Sequence, residues 1–159
     1  MKQVIMAIDP GYSNIGWAVN QNNKLQGSGV INFKQEKVLS RVLEIYQEID
    51  FLNVKYKPHI LLIEDINLHF DRKIRGKVVN RQALQKYSLA WGIIYMYFQC
   101  NTMDIIFNIE TVSLRAIRKE RAQLIALKKY YPDRKRISTH EAEAVCWAME
   151  YLIPQGGKT

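Results

Sequence analysis

The sequence predicts an α/β fold, a mixed five-stranded sheet flanked by helices. Two observations carry this. Twice a short, continuously apolar run ends in an acid, first at Val4-Ile-Met-Ala-Ile-Asp9 and again at His59-Ile-Leu-Leu-Ile-Glu64. Between them lies a long stretch of helical period, so the second run is reached through a helix and is expected to lie parallel to a neighbouring strand by a right-handed crossover.

The opening element is a buried strand, a tight turn at Pro10-Gly11 and a returning strand over Ile15 to Val19. An acid at the rim of a buried strand is costly unless a cation meets it. Asp-Pro-Gly is also good turn chemistry by itself, and taken alone the two readings of Asp9 carry equal weight. Gln21 to Asn23 then forms a turn into a third strand, Gly27 to Phe33.

Val38, Val42, Ile45, Tyr46, Ile49 and Leu52 recur at helical spacing and predict an amphipathic helix over Glu36 to Tyr56, ended by Pro58. If the next strand lies beside the first, Glu64 and Asp9 reach one edge, the carboxyl end of parallel strands where open α/β sheets place their sites. Asn67 to Asn80 is polar, with His69, Phe70, Arg72, Lys73, Arg75 and Lys77. Beside an acidic edge it suits phosphate contact and base stacking, although a charge run is more often a solvated connection.

Arg81 to Gln99 reads as a helix apolar nearly all round in its later half, which must be covered on two sides. The sheet is one cover, and the other is a second helix or, preferably, a second copy in an isologous homodimer. Met103 to Ile109 reads as the fifth strand, and Glu110 to Tyr130 as mainly helical and basic, with Arg115, Arg118, Lys119, Arg121, Lys128 and Lys129. The last helix starts at Ser138. Ser138 and Glu141 fit a capping box, while His140 and Glu143 are three apart and share a face.

At 159 residues the chain is long enough for one domain with a real core. Residues 1–154 are assigned to it and 155–159 to a flexible tail. Cys100 and Cys146 have no zinc-like spacing and are expected to be buried free thiols in a reducing compartment. No signal peptide is apparent after Met1-Lys2, and the longest apolar stretch is too short to cross a bilayer. A soluble, cytoplasmic protein without a membrane role is expected, in a bacterial cell or a phage-infected host. The net charge of +8 and pI near 9.5 point first to nucleic acid.

Asp9, Glu64, His140 and Glu143, with Asp65 and Glu141 in reserve, come from separate parts of the chain. Gathered together, carboxylates repel and raise one another's pKa, which divalent cations would relieve. Hard oxygen donors with an imidazole suit Mg²⁺ or Mn²⁺, and two such ions can activate water and stabilise the leaving oxygen of a phosphodiester.

The order of elements resembles the ribonuclease H-like fold. Within it, Ile8-Asp9-Pro10-Gly11 with Gly16 and Ala18-Val19, then Ile63-Glu64, then His140-x-x-Glu143-Ala-Val-x-x-Ala148, resemble the RuvC family of Holliday junction resolvases. The resemblance implies a homodimeric, Mg²⁺-dependent endonuclease with two ions per site. It would cut four-way or other branched DNA in pairs and leave 5′-phosphates. It makes Asp9, Glu64, His140 and Glu143 the metal-binding and catalytic set, with His140 and Glu143 standing where Asp is usual. Phe70, Arg72, Lys73, Arg75, Lys77, Arg115, Arg118 and Arg121 would contact DNA. Arg121 would lie near the scissile phosphate, and Ser113 stands where a Lys is common. Phe70 lies a few residues later than the aromatic the family inserts at the junction centre.

Rival readings remain. A ribonuclease H-like RNA-processing nuclease would carry a Lys-Arg pair after its Asp-x-Gly, where this chain has Tyr12-Ser13-Asn14. An actin-like ATPase needs two such domains. A non-catalytic branched-DNA binding protein would use only the basic surface.

Overall fold

In the computed structural model, described for residues 3–34, 37–64, 81–100, 108–112 and 119–150, the two acid-ended runs lie side by side. The first, β1 (Val4–Asp9), and the second, β4 (Ile60–Glu64), are fully buried along their length. They pair in parallel with Ile8 opposite Ile63, so Asp9 and Glu64 follow at the same edge. β2 (Asn14–Gln21) returns antiparallel to β1, with Gly16 opposite Asp9, and β3 (Lys24–Asn32) pairs antiparallel with β2. β5 (Asn108–Val112) lies parallel to β4, giving the sheet order β3-β2-β1-β4-β5.

The hairpin between β2 and β3 turns on Asn22 and Asn23, both at positive φ (53° and 63°). Asn tolerates that region because its short amide can bond locally, and two such residues in succession match the twist of the strands. The third strand starts earlier than the sequence predicts, at Lys24 rather than Gly27, because the ladder runs from the turn itself. The fifth strand runs on past its expected end: its ladder to β4 covers Asn108 to Val112, with Asn108 aligned with Ile60 and the pairing continuing beyond Ile109. Residues 101–107 lie outside the described residues.

Helix α1 (Val38–Tyr56) ends at Lys57, which takes the left-handed conformation (φ 47°) and donates its N–H to Asn53 O at 2.8 Å. Such a cap closes the last turn immediately before Pro58. The buried stripe of α1 is Arg41, Ile45, Ile49 and Leu52. Val38 and Tyr46, expected in that stripe, are exposed, Tyr46 lying beside it next to the Tyr97 ring.

Helix α2 (Arg81–Cys100) packs on α1, with the Tyr46 and Tyr97 rings edge-on at 5.1 Å and the Tyr97 hydroxyl donating to Asp50 at 2.7 Å. One cover for its apolar half is therefore α1. Cys100, expected to be buried, is exposed as the last residue of α2, whereas Cys146 is buried and both are free. Helix α3 (Lys119–Ile125) continues into a π-helical turn (Ala126–Tyr130), closed by Tyr131 N–H to Ala126 O at 3.0 Å. Helix α4 (Thr139–Glu150) follows.

Alternation along β1 divides the core. Val4, Met6 and Ile8 meet α1 and α2 through Ile45, Ile49, Ile94 and Phe98. Ile5 and Ala7 face the other side, against Ala122, Ala126, Ala144, Val145 and Ala148. The small residues on that side let α4 lie close on β2 and β1, and this closeness carries the start of α4 to the acidic edge.

Candidate metal centre

Asp9 ends β1, immediately before the turn of Pro10-Gly11. A Cβ at Gly11 would collide with the main-chain oxygen of Asn14, so the turn closes tightly only with glycine there. Buried Arg41 of α1 reaches the same turn, its Nη1 donating to Tyr12 O at 2.7 Å and its guanidinium lying over the Tyr12 and Phe33 rings.

α4 brings His140 and Glu143 to Asp9. One ligand atom from each of Asp9, His140 and Glu143 lies within 4.8 Å of the other two. His140 Nδ1 bonds Asp9 Oδ2 directly. Asp9, Glu64 and Glu143 are all buried, at 3%, 3% and 2% exposure, and His140 is half-buried. Three carboxylates so deeply buried form an arrangement that neutral water-facing chemistry does not require.

Glu64 stands beside this trio rather than inside it. Its main-chain carbonyl accepts the Trp91 indole N–H at 2.7 Å, and its Oε2 accepts the Tyr87 hydroxyl at 3.0 Å. Both donors come from α2, four residues apart. The Glu64 charge still reaches Asp9. Burial is the main force holding the Asp9 carboxyl protonated above its ordinary range; hydrogen bonding and charge from His140 pull it back, Glu64 pushes it up, and a hydrogen bond with Glu143 lowers it.

The donor set fits a hard divalent cation. Two carboxylates and an imidazole match Mg²⁺ or Mn²⁺, and ligand atoms around one octahedral ion of that size lie about 3–4 Å apart. The 4.8 Å spread of the trio asks for only a small closing movement.

Glu141 belongs elsewhere. Its main-chain N–H donates to Ser138 Oγ at 3.0 Å, half of the expected capping box. Its carboxylate, instead of returning to Ser138, accepts Ser28 Oγ at 2.5 Å and Arg134 Nη1 at 2.7 Å. Glu141 and Glu143 lie about 200° apart around the helix, so one faces β3 and the other the acidic edge. Asp65, Phe70, Arg72, Lys73, Arg75, Lys77, Ser113, Arg115 and Arg118 lie outside the described residues, and Arg121 is on α3 with its side chain likewise undescribed.

Sequence reasoning passed over Arg41, Tyr87 and Trp91. Arg41 interrupts an apolar helical stripe with a cation, which is a readable signal. Tyr87 and Trp91 are polar-tipped aromatics one helical turn apart, and only the fold shows that they meet Glu64.

Sheet order and the acids at the ends of adjacent parallel strands define a ribonuclease H-like α/β protein. Residues 5–90 match the family model for crossover junction endodeoxyribonuclease RuvC, and the chain belongs to that family. It is similar to crossover junction endodeoxyribonuclease RuvC of Brachyspira hyodysenteriae (strain ATCC 49526 / WA1), 28% identical over 106 residues, which is 64% of this chain. That match spans 61% of the relative's length. Among solved structures, T. thermophilus RuvC in complex with a Holliday junction substrate superimposes with a TM-score of 0.72 at 17% identity, covering 98% of this chain and 96% of that one. The yeast mitochondrial Holliday junction resolvase Ydc2 gives 0.63 at 14%, covering 96% and 78%.

Proposed function

We propose that this chain is a metal-dependent endonuclease that binds four-way or other branched DNA junctions and resolves them by paired phosphodiester cleavage, leaving 5′-phosphates. The observation that carries the reading is the convergence of Asp9, His140 and Glu143 within 4.8 Å. Glu64 at the neighbouring strand end joins them in one acidic edge. Family membership and the RuvC–junction complex among the structural neighbours support the substrate class.

Mg²⁺, with Mn²⁺ as a substitute, would be held by Asp9, His140 and Glu143, and a second ion on the Glu64 side. When bound, a pair of ions supplies an activated water and stabilisation of the leaving oxygen. The protein's part is to hold the carboxylates fixed, to keep His140 against Asp9, and to exclude bulk water from a pocket whose acids are almost wholly buried. The net charge of +8 supplies the attraction for the phosphate backbone.

Cleavage of two strands in a four-way junction calls for two sites, and the chain acts as a homodimer in this reading. Exposed apolar side chains on the helical face, among them Leu39, Leu43 and Val54 of α1 and Met96 of α2, support it. Light scattering that found a strict monomer at high concentration would remove the dimer. Among the described residues no helix is long and apolar enough to cross a membrane. Two free thiols suit the cytoplasm of a bacterial or phage-infected cell.

The deciding experiment is a cleavage assay with Mg²⁺ on four-way junction, flap and duplex DNA and on RNA. Paired cuts in the junction are expected, with binding that weakens steeply as salt rises. Cutting confined to RNA, or junction binding without cutting, would overturn the reading in favour of an RNA-processing nuclease or a binding protein.

A further inference from the structure

We propose that Tyr87 is a positioning residue for the acidic edge, holding the Glu64 carboxylate in the orientation in which it serves as a metal ligand. The inference rests on the metal-nuclease reading above and deepens it.

Glu64 is the last residue of β4, where the ladder that fixes the strand stops. Two anchors from one face of α2 take over. The Trp91 indole holds the main-chain carbonyl at 2.7 Å, and the Tyr87 hydroxyl holds Oε2 at 3.0 Å. Donors at positions four apart lie on the same helix face, so one rigid helix constrains both the backbone and the head of the same glutamate. Trp91 is itself stacked on Tyr95, with ring centroids 4.9 Å apart, which limits its movement.

The consequence is geometric. A hydrogen bond donated to the Glu64 carboxylate removes torsional freedom that a glutamate would otherwise lose on binding an ion. Glu64 is the one acid of the four candidates outside the 4.8 Å trio, so its usefulness as a ligand depends on being held at a set position beside that trio. Partners of this kind behind metal ligands typically change metal affinity by about 10–100-fold when removed.

The test is Tyr87→Phe, which keeps the ring and deletes only the donor, compared with wild type and with Tyr95→Phe as a hydroxyl-deletion control on the same helix. Mn²⁺ binding is measured by calorimetry without DNA, alongside thermal unfolding of the metal-free proteins. Tyr87→Phe should bind Mn²⁺ at least about tenfold more weakly, or lose one of two binding events. Tyr95→Phe should bind like wild type. Cleavage by Tyr87→Phe should recover toward wild type as Mn²⁺ is raised. Wild-type Mn²⁺ affinity and stoichiometry in Tyr87→Phe would overturn the assignment while leaving the nuclease reading intact. A wild-type protein that binds no Mn²⁺ would overturn both. Equal weakening in Tyr87→Phe and Tyr95→Phe would also overturn it, as a general effect of the helix.

Discussion

Gly16 and His140 touch backbone to backbone. Gly16 of β2 lies opposite Asp9, and a Cβ built on it would strike the main-chain carbonyl of His140. The start of α4 therefore rests directly on the strand that flanks Asp9, and the absence of a side chain sets how near His140 can come. Neither partner can move aside cheaply, since both contacts are main-chain. Gly16→Ala is expected to cost about 1–3 kcal/mol in denaturant unfolding, as overpacking does. It should slow cleavage by about 10²-fold or more, because displacing a ligand by roughly 1 Å has that effect. A variant that melts and cuts like wild type would show that α4 tolerates the shift.

Asp9 should make the metal-free protein less stable as pH rises. Its carboxyl is held above the ordinary value of 3.8 mainly by burial, with His140 opposing and Glu64 adding to the rise. A raised folded-state pKa means that the folded form binds the proton more tightly than the unfolded one. The stability this contributes is fully present below 3.8 and is lost as pH climbs through the folded value. Asp9→Asn should therefore flatten that part of the stability–pH curve and lie above wild type at neutral pH without metal. With Mn²⁺ the order should reverse, since only wild type gains from the ion. Cleavage should vanish in Asp9→Asn, as in Glu64→Gln, while junction binding persists. Mn²⁺ affinity of wild type should fall on acidification, because the ion displaces a proton. An unchanged stability–pH curve in Asp9→Asn would refute this account of the site.

What could be read in advance followed from local periodicity and one topological rule. Strands buried on both faces show as unbroken apolar runs, and a parallel crossover must bring the ends of two such runs together, which is why Asp9 and Glu64 could be paired on paper. His140 and Glu143 share a face by helical geometry alone. The end of β5 was not readable, because nothing in the sequence marks that the ladder continues past Ile109 to pair Val112 with Glu64. For Arg41 the cation set in the apolar stripe of α1 was a visible mark, but its target, a carbonyl 29 positions earlier in the chain, was not. Tyr87 and Ser28 were invisible for the same reason: each acts on a group that only the tertiary fold brings near.

Glu141 and Glu143, two residues apart, should respond oppositely to substitution. Glu141 ties α4 to β3 through Ser28 and to the preceding loop through Arg134, which also lies over the Tyr131 ring at 4.2 Å. Glu141→Ala is expected to lower stability by about 1 kcal/mol, since half-buried Ser28 loses this acceptor and keeps only the Tyr131 hydroxyl. The Arg134 contact adds little, as that side chain is 46% exposed. Mn²⁺ affinity should stay at the wild-type value. Glu143→Ala should do the reverse, abolishing Mn²⁺ binding with little loss of stability. A metal defect in Glu141→Ala would mean that this carboxylate reaches the ion after all.

Arg41 is expected to matter through the turn that follows Asp9. Its guanidinium is buried, lies over Tyr12 and Phe33 at 5.1 and 5.4 Å, and approaches Glu44 at 3.9 Å. The bond from Nη1 to Tyr12 O, at 2.7 Å, joins α1 to the loop that aims the Asp9 carboxylate. A lysine keeps the charge but lacks the planar fork, so it cannot stack between two rings and reach the carbonyl together. Arg41→Lys should therefore lose about 1–3 kcal/mol in urea melts, through a main-chain acceptor left unsatisfied. Mn²⁺ affinity should weaken as well, because a loosened turn no longer holds Asp9 against His140. If Arg41→Lys loses stability but keeps wild-type Mn²⁺ affinity, the turn is shaped by Pro10 and Gly11 alone, and the arginine serves only to join the helix to the sheet.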